Sequence, residues 1–368
     1  MDSRREEEVE DYGQYAMQIV SASVLPMVLK AAVELGVLDV IEKSGPGALL
    51  SSEQISAQLV TENQPETPLI LDRILRLLAS YSILTGSLTT DDDDNHVHMV
   101  YGLAPVAKYF LSNREAGSLT LLLQLIQHKT IVNMWHHLKD AVLEGGLPFD
   151  KAYGMSAVEY VGKDAKFCEI FKGSMKDFNP LFMQRILEIY KGFGGLKSLV
   201  DVGGGDGSLL NLIISKYPAI VKAINYDLAQ VIEKSPPYPG IEHVVGDMFT
   251  HIPEAEAIFM KWMLHSWDDK HCVKILKNCY AALPVNGKVI AVDMVIPEVP
   301  EDTLAVKSMF QFDLFMMNMN PSGKERTKRE FESLAKSAGF SHLRVPCHAY
   351  NFSVIEFYKT SFSGLILT

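Results

Sequence analysis

The residues best placed to do chemistry lie between positions 201 and 265. Asp201-Val202-Gly203-Gly204-Gly205-Asp206-Gly207-Ser208 follows a short apolar run and opens a helical stretch. Glycines at such a turn let the backbone approach a ligand where a Cβ would clash. A dinucleotide fingerprint would begin at Gly203 and Gly205, but its third small position is Ser208, which weakens a dehydrogenase reading. Asp227 ends the next strand-like run, 227 − 203 = 24 positions beyond Gly203, where a carboxylate can accept both hydroxyls of a ribose. After His243-Val244-Val245 comes Gly246-Asp247-Met248-Phe249, in which Asp247 can bind one edge of an adenine while Met248 packs on its face. Taken singly these are a tight turn, a strand-end acid and a loop acid. Taken in order, each at the carboxyl end of a strand, they describe a nucleoside-binding crevice. No P-loop lysine accompanies them, which argues against phosphate transfer. His265 follows the strand-like run Ile258 to Lys261, where the active residues of open α/β sheets gather.

These residues need a scaffold. From Ser198 onward, strand-like runs (199–202, 223–226, 257–261, 289–292) alternate with helical ones (207–216, 229–234, 269–283), which implies βαβ units and a parallel sheet. Upstream the texture is helical. Apolar residues recur at helical spacing over 14–42 and again over 69–84, and Ser51-Ser52-Glu53-Gln54 reads as a capped helix start. The run Asp91 to Asp94 reads as a solvated hairpin tip. Residues 113–195 read as further helices broken near Gly145-Gly146-Leu147-Pro148. The expected organisation is residues 1–115, a linking helical segment 116–195, and an α/β domain 196–368.

Composition narrows the function classes. The formal net charge is −11, the wrong sign for a phosphate-binding surface, and residues 20–115 carry 6 − 12 = −6. A nucleic-acid partner is therefore not expected. Four cysteines without a C-x-x-C pair fit a reducing compartment. The acidic start Met1 to Tyr12 has no apolar core of a secretory signal, and apolar runs such as Leu119 to Leu123 are too short to span a membrane. A cytoplasmic protein acting on a small molecule is the expectation.

Several ordered motifs resemble one family closely: Val200 to Gly207, Gly246 to Phe249, Met260-Lys261-Trp262-Met263-Leu264-His265-Ser266-Trp267-Asp268-Asp269, Leu276 to Tyr280, Gly323-Lys324-Glu325-Arg326-Thr327, His137 to Phe149, and Glu356 to Lys359. The chain resembles plant small-molecule O-methyltransferases of the caffeic-acid type over nearly its whole length. The resemblance implies a Rossmann-like methyltransferase domain that binds S-adenosylmethionine (SAM), preceded by an all-helical, winged-helix-like dimerisation domain, and a homodimer. It places cofactor contacts on Gly203, Asp227, Asp247, Met248 and Lys261, with Trp267 flanking the adenine. It makes His265 the general base, oriented by Glu325 and Asp293; the latter is one methylene shorter than the family's usual Glu. A phenol with pKa near about 10 can pass its proton to an imidazole near about 6.5 as its oxygen attacks the sulfonium methyl. The sulfonium leaves as a neutral thioether, so the chemistry asks for no metal.

On pattern alone the helical faces Phe167/Phe171/Met175 and Met309/Phe312/Met316/Met319 are core. The resemblance moves Phe167, Phe171, Met175, Met316 and Asn320 to the acceptor pocket. Where lignin-type members carry polar Asn, His and Asp, this chain aligns Ile126, Phe178 and Ser266, so the implied acceptor side is altered while the cofactor side is largely kept, apart from Asp206 where Thr is common. The same chemistry on an aromatic amine or alkaloid nitrogen is the nearest alternative. A NAD dehydrogenase and a winged-helix DNA-binding regulator are the more distant ones.

Overall fold

A computed structural model describes residues 3–59, 64–90, 97–112 and 116–360. The chain forms two compact units: one from residues 1–132 and 164–178, the other from 133–163 and 179–368.

In the first unit, the periodic stretch 14–42 is three helices rather than one: Ser3–Ser21, Val24–Glu34 and Val37–Lys43. The last break falls at Gly36, whose φ of 76° ends a right-handed helix. The helix Ser52–Ser56 begins with the anticipated capping box, Ser51 and Gln54 each bonding the other's backbone. The helix Thr67–Ser80 buries Leu71, Leu75 and Leu78 at helical spacing. It is followed by the antiparallel pair β1 (Leu84–Thr90) and β2 (Val97–Leu103). The acidic run 91–94 lies outside the described residues. Tyr12, Met17 and Val20 on the first helix are 72%, 70% and 80% exposed, an apolar face uncovered in the isolated chain.

The second unit is built on strands β3 (Ser198–Val202), β4 (Lys222–Asp227), β5 (Ile241–Val245), β6 (Ala257–Lys261) and β7 (Lys288–Asp293). A short parallel pair follows, β8 (Val295–Ile296) with β9 (Arg326–Thr327). The last two strands are β10 (His342–Ala349) and β11 (Phe352–Tyr358). The large sheet runs β10-β11-β7-β6-β3-β4-β5. Strands β3 to β7 are parallel, as the alternation predicts, but β11 is antiparallel to β7 and to β10, so the sheet is mixed. The physical reason is local. Two residues between β10 and β11 allow only a hairpin, whereas a parallel connection needs a crossover of a dozen or more residues.

The central strands carry the burial expected of a sheet covered on both faces: Leu199, Val200, Ile258, Phe259, Met260 and Val289 to Val292 are all inaccessible. The helices Asp269–Ala282 and Lys328–Ala338 contribute Ile275, Leu276, Cys279, Phe331 and Leu334 to the same core. The strand order reverses at β3, between β4 and β6. Open α/β sheets leave a crevice outside the strand ends at such a point. Among the described residues no single helix is long and apolar enough to cross a membrane.

Candidate active site

The glycine loop leaves β3 at the reversal point. Gly203 has φ of 68°, and a Cβ there would sit 2.5 Å from the sulfur of Met263. At Gly204 a Cβ would stand 2.1 Å from Asn225 Oδ1 and 2.7 Å from the Asp201 carboxylate, both on side chains of the strands beneath. A side chain at Gly203 would be strained by the left-handed backbone and would displace Met263, and one at Gly204 would displace the buried Asn225 and Asp201 side chains. Asn225 holds the loop from below, its amide donating to the Gly205 carbonyl at 2.9 Å. Asp201 is fully buried beside it, and burial with Asp227 nearby pushes its carboxyl up to about 7.

A cavity of about 310 Å³ opens over these strand ends. Its lining includes five residues expected from the sequence: Gly203, Asp227, Asp247, Met248 and Trp267. It also includes Tyr226, Phe249 and Met263, which the sequence reading passed over. Asp227 Oδ2 accepts the Gly205 amide at 2.9 Å and Oδ1 accepts the Leu228 amide at 2.7 Å. Both oxygens keep lone pairs for a ligand diol. Asp247 Oδ1 accepts the Phe249 amide at 2.8 Å, which fixes the turn that presents Met248. Trp267 meets Phe249 edge to face at 4.8 Å, so the cavity wall is flat and aromatic. This donor-poor, acceptor-bearing cleft suits a neutral or cationic nucleoside.

Lys261 is not part of that lining. It ends β6, donates to Asn179 Oδ1, and places its ammonium 4.5 Å from the centroid of the Trp262 ring. Burial pushes its pKa down to about 7 despite the nearby Asp293 and Asp201 carboxyls.

His265 sits in the 3-10 turn Leu264–Ser266 that follows β6, and is 8% exposed. Its Nδ1 lies 3.0 Å from Glu325 Oε1, on a carboxylate only 3% exposed. With Nδ1–H donated to Glu325, Nε2 is the basic nitrogen. The two residues are 60 positions apart, and the structure joins them by lacing two segments together. The Lys324 amide donates to the His265 carbonyl at 2.9 Å. Arg326, wholly buried, donates to the Leu264 carbonyl at 2.7 Å, to the Trp267 carbonyl at 2.6 Å and to Asp269 Oδ1 at 2.8 Å. The pairing of β8 with β9 sets Val295 opposite Arg326. The Glu325 amide donates to Asp313 Oδ1 at 2.8 Å.

Asp293, at the end of β7, is fully buried, and neither of its oxygens has a hydrogen bond of normal geometry, to His265 or to any other described residue. Burial, with the Glu325 carboxylate second, raises its pKa well above the ordinary value. Its carboxyl is therefore held towards the neutral form, unlike an ionised orienter. Arg326, Trp262, Asn179 and Asp313 are contributors that the sequence gave little reason to name. Trp262 and Arg326 do lie inside the quoted motifs, but their types alone indicate core and surface.

Of the proposed acceptor residues, Ile126, Phe167, Phe171, Met175 and Phe178 belong to the first unit. Phe167 is wholly buried and its ring lies 5.2 Å from that of His128. Ser266, Met316 and Asn320 belong to the second unit, where the Asn320 amide donates to the Ser266 carbonyl at 3.0 Å.

Comparison with known proteins gives this geometry a family. Residues 135–341 match the O-methyltransferase domain model and residues 17–113 the O-methyltransferase dimerisation domain model. The chain is 55% identical over 350 residues to a caffeic acid 3-O-methyltransferase of Rosa chinensis, covering 95% of each chain. It is 54% identical over 350 residues to the enzyme of the same name from Medicago sativa, covering 95% of each. Among solved structures, human N-acetylserotonin methyltransferase in complex with SAM superposes with a TM-score of 0.77 at 20% identity, covering 95% of this chain and 98% of that one. An SAH-bound methyltransferase of calicheamicin biosynthesis gives 0.79 at 22% identity, covering 98% and 100%. The chain thus belongs to the O-methyltransferase family, as a SAM-dependent O-methyltransferase with its own dimerisation domain.

Proposed function

We propose that the enzyme methylates a hydroxyl of a small plant phenolic without a metal, with His265 as general base and Glu325 as its orienter. The observation that carries this reading is the buried His265–Glu325 pair, 3.0 Å apart, on the turn that follows β6. Bound SAM supplies an electrophilic methyl on a positively charged sulfur. The chain's task is to hold the cofactor and to receive a proton. Asp227 accepts the ribose hydroxyls, Asp247 and Met248 take the adenine, Trp267 closes its flank and Gly203 allows close approach. His265 Nε2 takes the hydroxyl proton as the oxygen attacks. Glu325 fixes the tautomer through Nδ1 and stabilises the imidazolium, as the acid of a triad does. Placement of the oxygen in line with the methyl is where much of the rate gain lies.

The names of the relatives, caffeic acid 3-O-methyltransferases, support a phenolic acceptor. On the acceptor side the reading takes Ser266, Met316 and Asn320 of the second unit. The dimerisation-domain match, together with the exposed Tyr12, Met17 and Val20, supports a homodimer that covers this apolar face. Incubation with methyl-labelled SAM and a panel of plant phenols and aromatic amines tests the reading. Label on a phenolic oxygen is the expected product, and label confined to amines overturns it.

A further inference from the structure

A hydrogen bond at Nδ1 fixes one vertex of the His265 ring and leaves its plane to be set by something else. The structure supplies that second constraint. The Trp262 indole lies parallel to the imidazole, with an interplanar angle of 7° and centroids 5.2 Å apart, an offset stack. Trp262 is held by its backbone and by neighbouring rings. Its amide donates to the Val292 carbonyl at 2.9 Å, continuing the β6–β7 ladder. Phe352 meets its ring edge-on at 5.1 Å, and Phe312 lies 6.4 Å away. Its φ is 54°, a left-handed conformation that a bulky residue seldom adopts. Such backbone persists only where the surroundings over-determine it, and it clusters at functional sites. The strained residue falls between β6 and the turn that carries His265.

We propose that Trp262 is a positioning residue for methyl transfer, its indole fixing the plane of the His265 imidazole and stabilising that ring once it carries the acceptor's proton. The inference rests on the reading of His265 as general base. In the step concerned, the hydroxyl oxygen forms its bond to the methyl carbon as the sulfur–methyl bond breaks. The electron pair of the broken bond stays on sulfur, and the hydroxyl proton moves to Nε2. The imidazole becomes a cation at that moment, and the face of an indole attracts a cation. The groups that set the charge around this stack are Glu325 at Nδ1, Lys261 over the same indole at 4.5 Å, Arg326 on the carbonyls of Leu264 and Trp267, and Asp293, which is coupled to Glu325, Lys261 and Arg326. Lys261 competes for the indole only while charged, and burial pushes it down to about 7.

The test uses the full-length enzyme with SAM and caffeic acid as the probe acceptor, comparing Trp262→Phe and Trp262→Leu in the wild-type and His265→Ala backgrounds. Trp262→Leu is expected to lower kcat about tenfold, with KM and calorimetric SAM affinity changed by less than about threefold. Without the indole the imidazolium is less stable, so the acid limb of the kcat profile moves to lower pH. Trp262→Phe, which keeps an aromatic face, recovers most of the rate and most of the limb. In the His265→Ala background neither substitution lowers the residual rate further, because there is no imidazole left to hold. An unmoved acid limb, or an equal loss of rate in both backgrounds, overturns the inference. If Trp262→Leu does not fold, the acid limb of Trp262→Phe decides by the same criterion, a small acid shift against none. His265→Ala with near-wild-type activity on caffeic acid would instead remove the general-base reading itself, an outcome distinct from an inert Trp262.

Discussion

The side-chain amide of Asn320 donates to the backbone carbonyl of Ser266, the residue after His265, at 3.0 Å. The end of the helix Leu304–Met319 is thereby tied to the turn that bears the base, and Ser266 is held by its backbone whatever its side chain. Substitution there should change recognition more than architecture. If Ser266 lines the acceptor pocket, it offers a second ring hydroxyl a weaker partner than a carboxylate would. A buried hydroxyl left without one costs about 1–3 kcal/mol, or roughly 5- to 150-fold in selectivity. Ser266→Asp should move kcat/KM towards catechol acids relative to a less polar analogue. An unmoved ratio would take Ser266 out of the acceptor site.

His265→Ala should retain SAM binding and lose phenol methylation by about 10²- to 10⁴-fold. Glu325→Gln keeps shape but removes the charge opposing the imidazolium, so kcat should fall with little change in KM. Chelators should leave both proteins as they were. Inhibition by EDTA that a divalent metal reverses would contradict the mechanism.

Asp227→Ala removes a carboxylate that accepts two backbone amides and, in the proposed complex, a diol. Hydrogen bonds to a charged group contribute roughly 1.5–3 kcal/mol each, so SAM affinity should fall by tenfold or more on the scale of about 1.4 kcal/mol per decade. Calorimetry on the folded variant measures it, and unchanged affinity would refute the ribose assignment.

Asp293 gives a stability prediction with a definite sign. Its folded pKa is raised, so between the unfolded value, about 3.9, and the folded one, the native state binds more protons than the unfolded state. That contribution to stability is complete below the unfolded pKa and is lost as pH rises through the folded pKa. Asp293→Asn abolishes the loss. Its urea midpoint should exceed the wild type's at neutral pH, by a margin that grows with pH. Because Asp293 makes no hydrogen bond to His265, the activity lost should be smaller than for Glu325→Gln. A margin that shrinks as pH rises would show that the carboxyl is ionised and stabilising.

Much of the second unit could be read from sequence because its signals are local. The runs at 199–202 and 257–261 have strand length and apolar character, and the glycines between them require a tight turn. What could not be read depends on pairing across distance. Nothing in the composition of β11 says that it enters the sheet beside β7 with opposite polarity; that follows from the hairpin it forms with β10. The motif placed Glu325 near His265, but Arg326, next to it, reads as an ordinary surface cation until the carbonyls of Leu264 and Trp267 are seen around it. Asp293 was legible as an acid near the base and not as one held neutral, because its state is set by burial in three dimensions. Periodicity also overran chain breaks: Gly36 divides what the apolar spacing alone presents as continuous helix.

The two-residue ladder between β8 and β9 has a consequence for how such an enzyme can diversify. It pairs Val295 with Arg326 and Ile296 with Thr327, so the chain leaves the sheet after Asp293, travels through the helix Leu304–Met319, and returns to the same place just as it delivers Glu325. Everything between 297 and 324 is a closed excursion with both ends pinned. Within it Asp313 accepts the Glu325 amide, Asn320 donates to the Ser266 carbonyl and the Lys324 amide donates to the His265 carbonyl, so these three positions share in setting the register of base and carboxylate. Any change to the length or path of this excursion therefore reaches the proton-handling pair through its ends and through those bonds, while positions outside them are the ones free to vary.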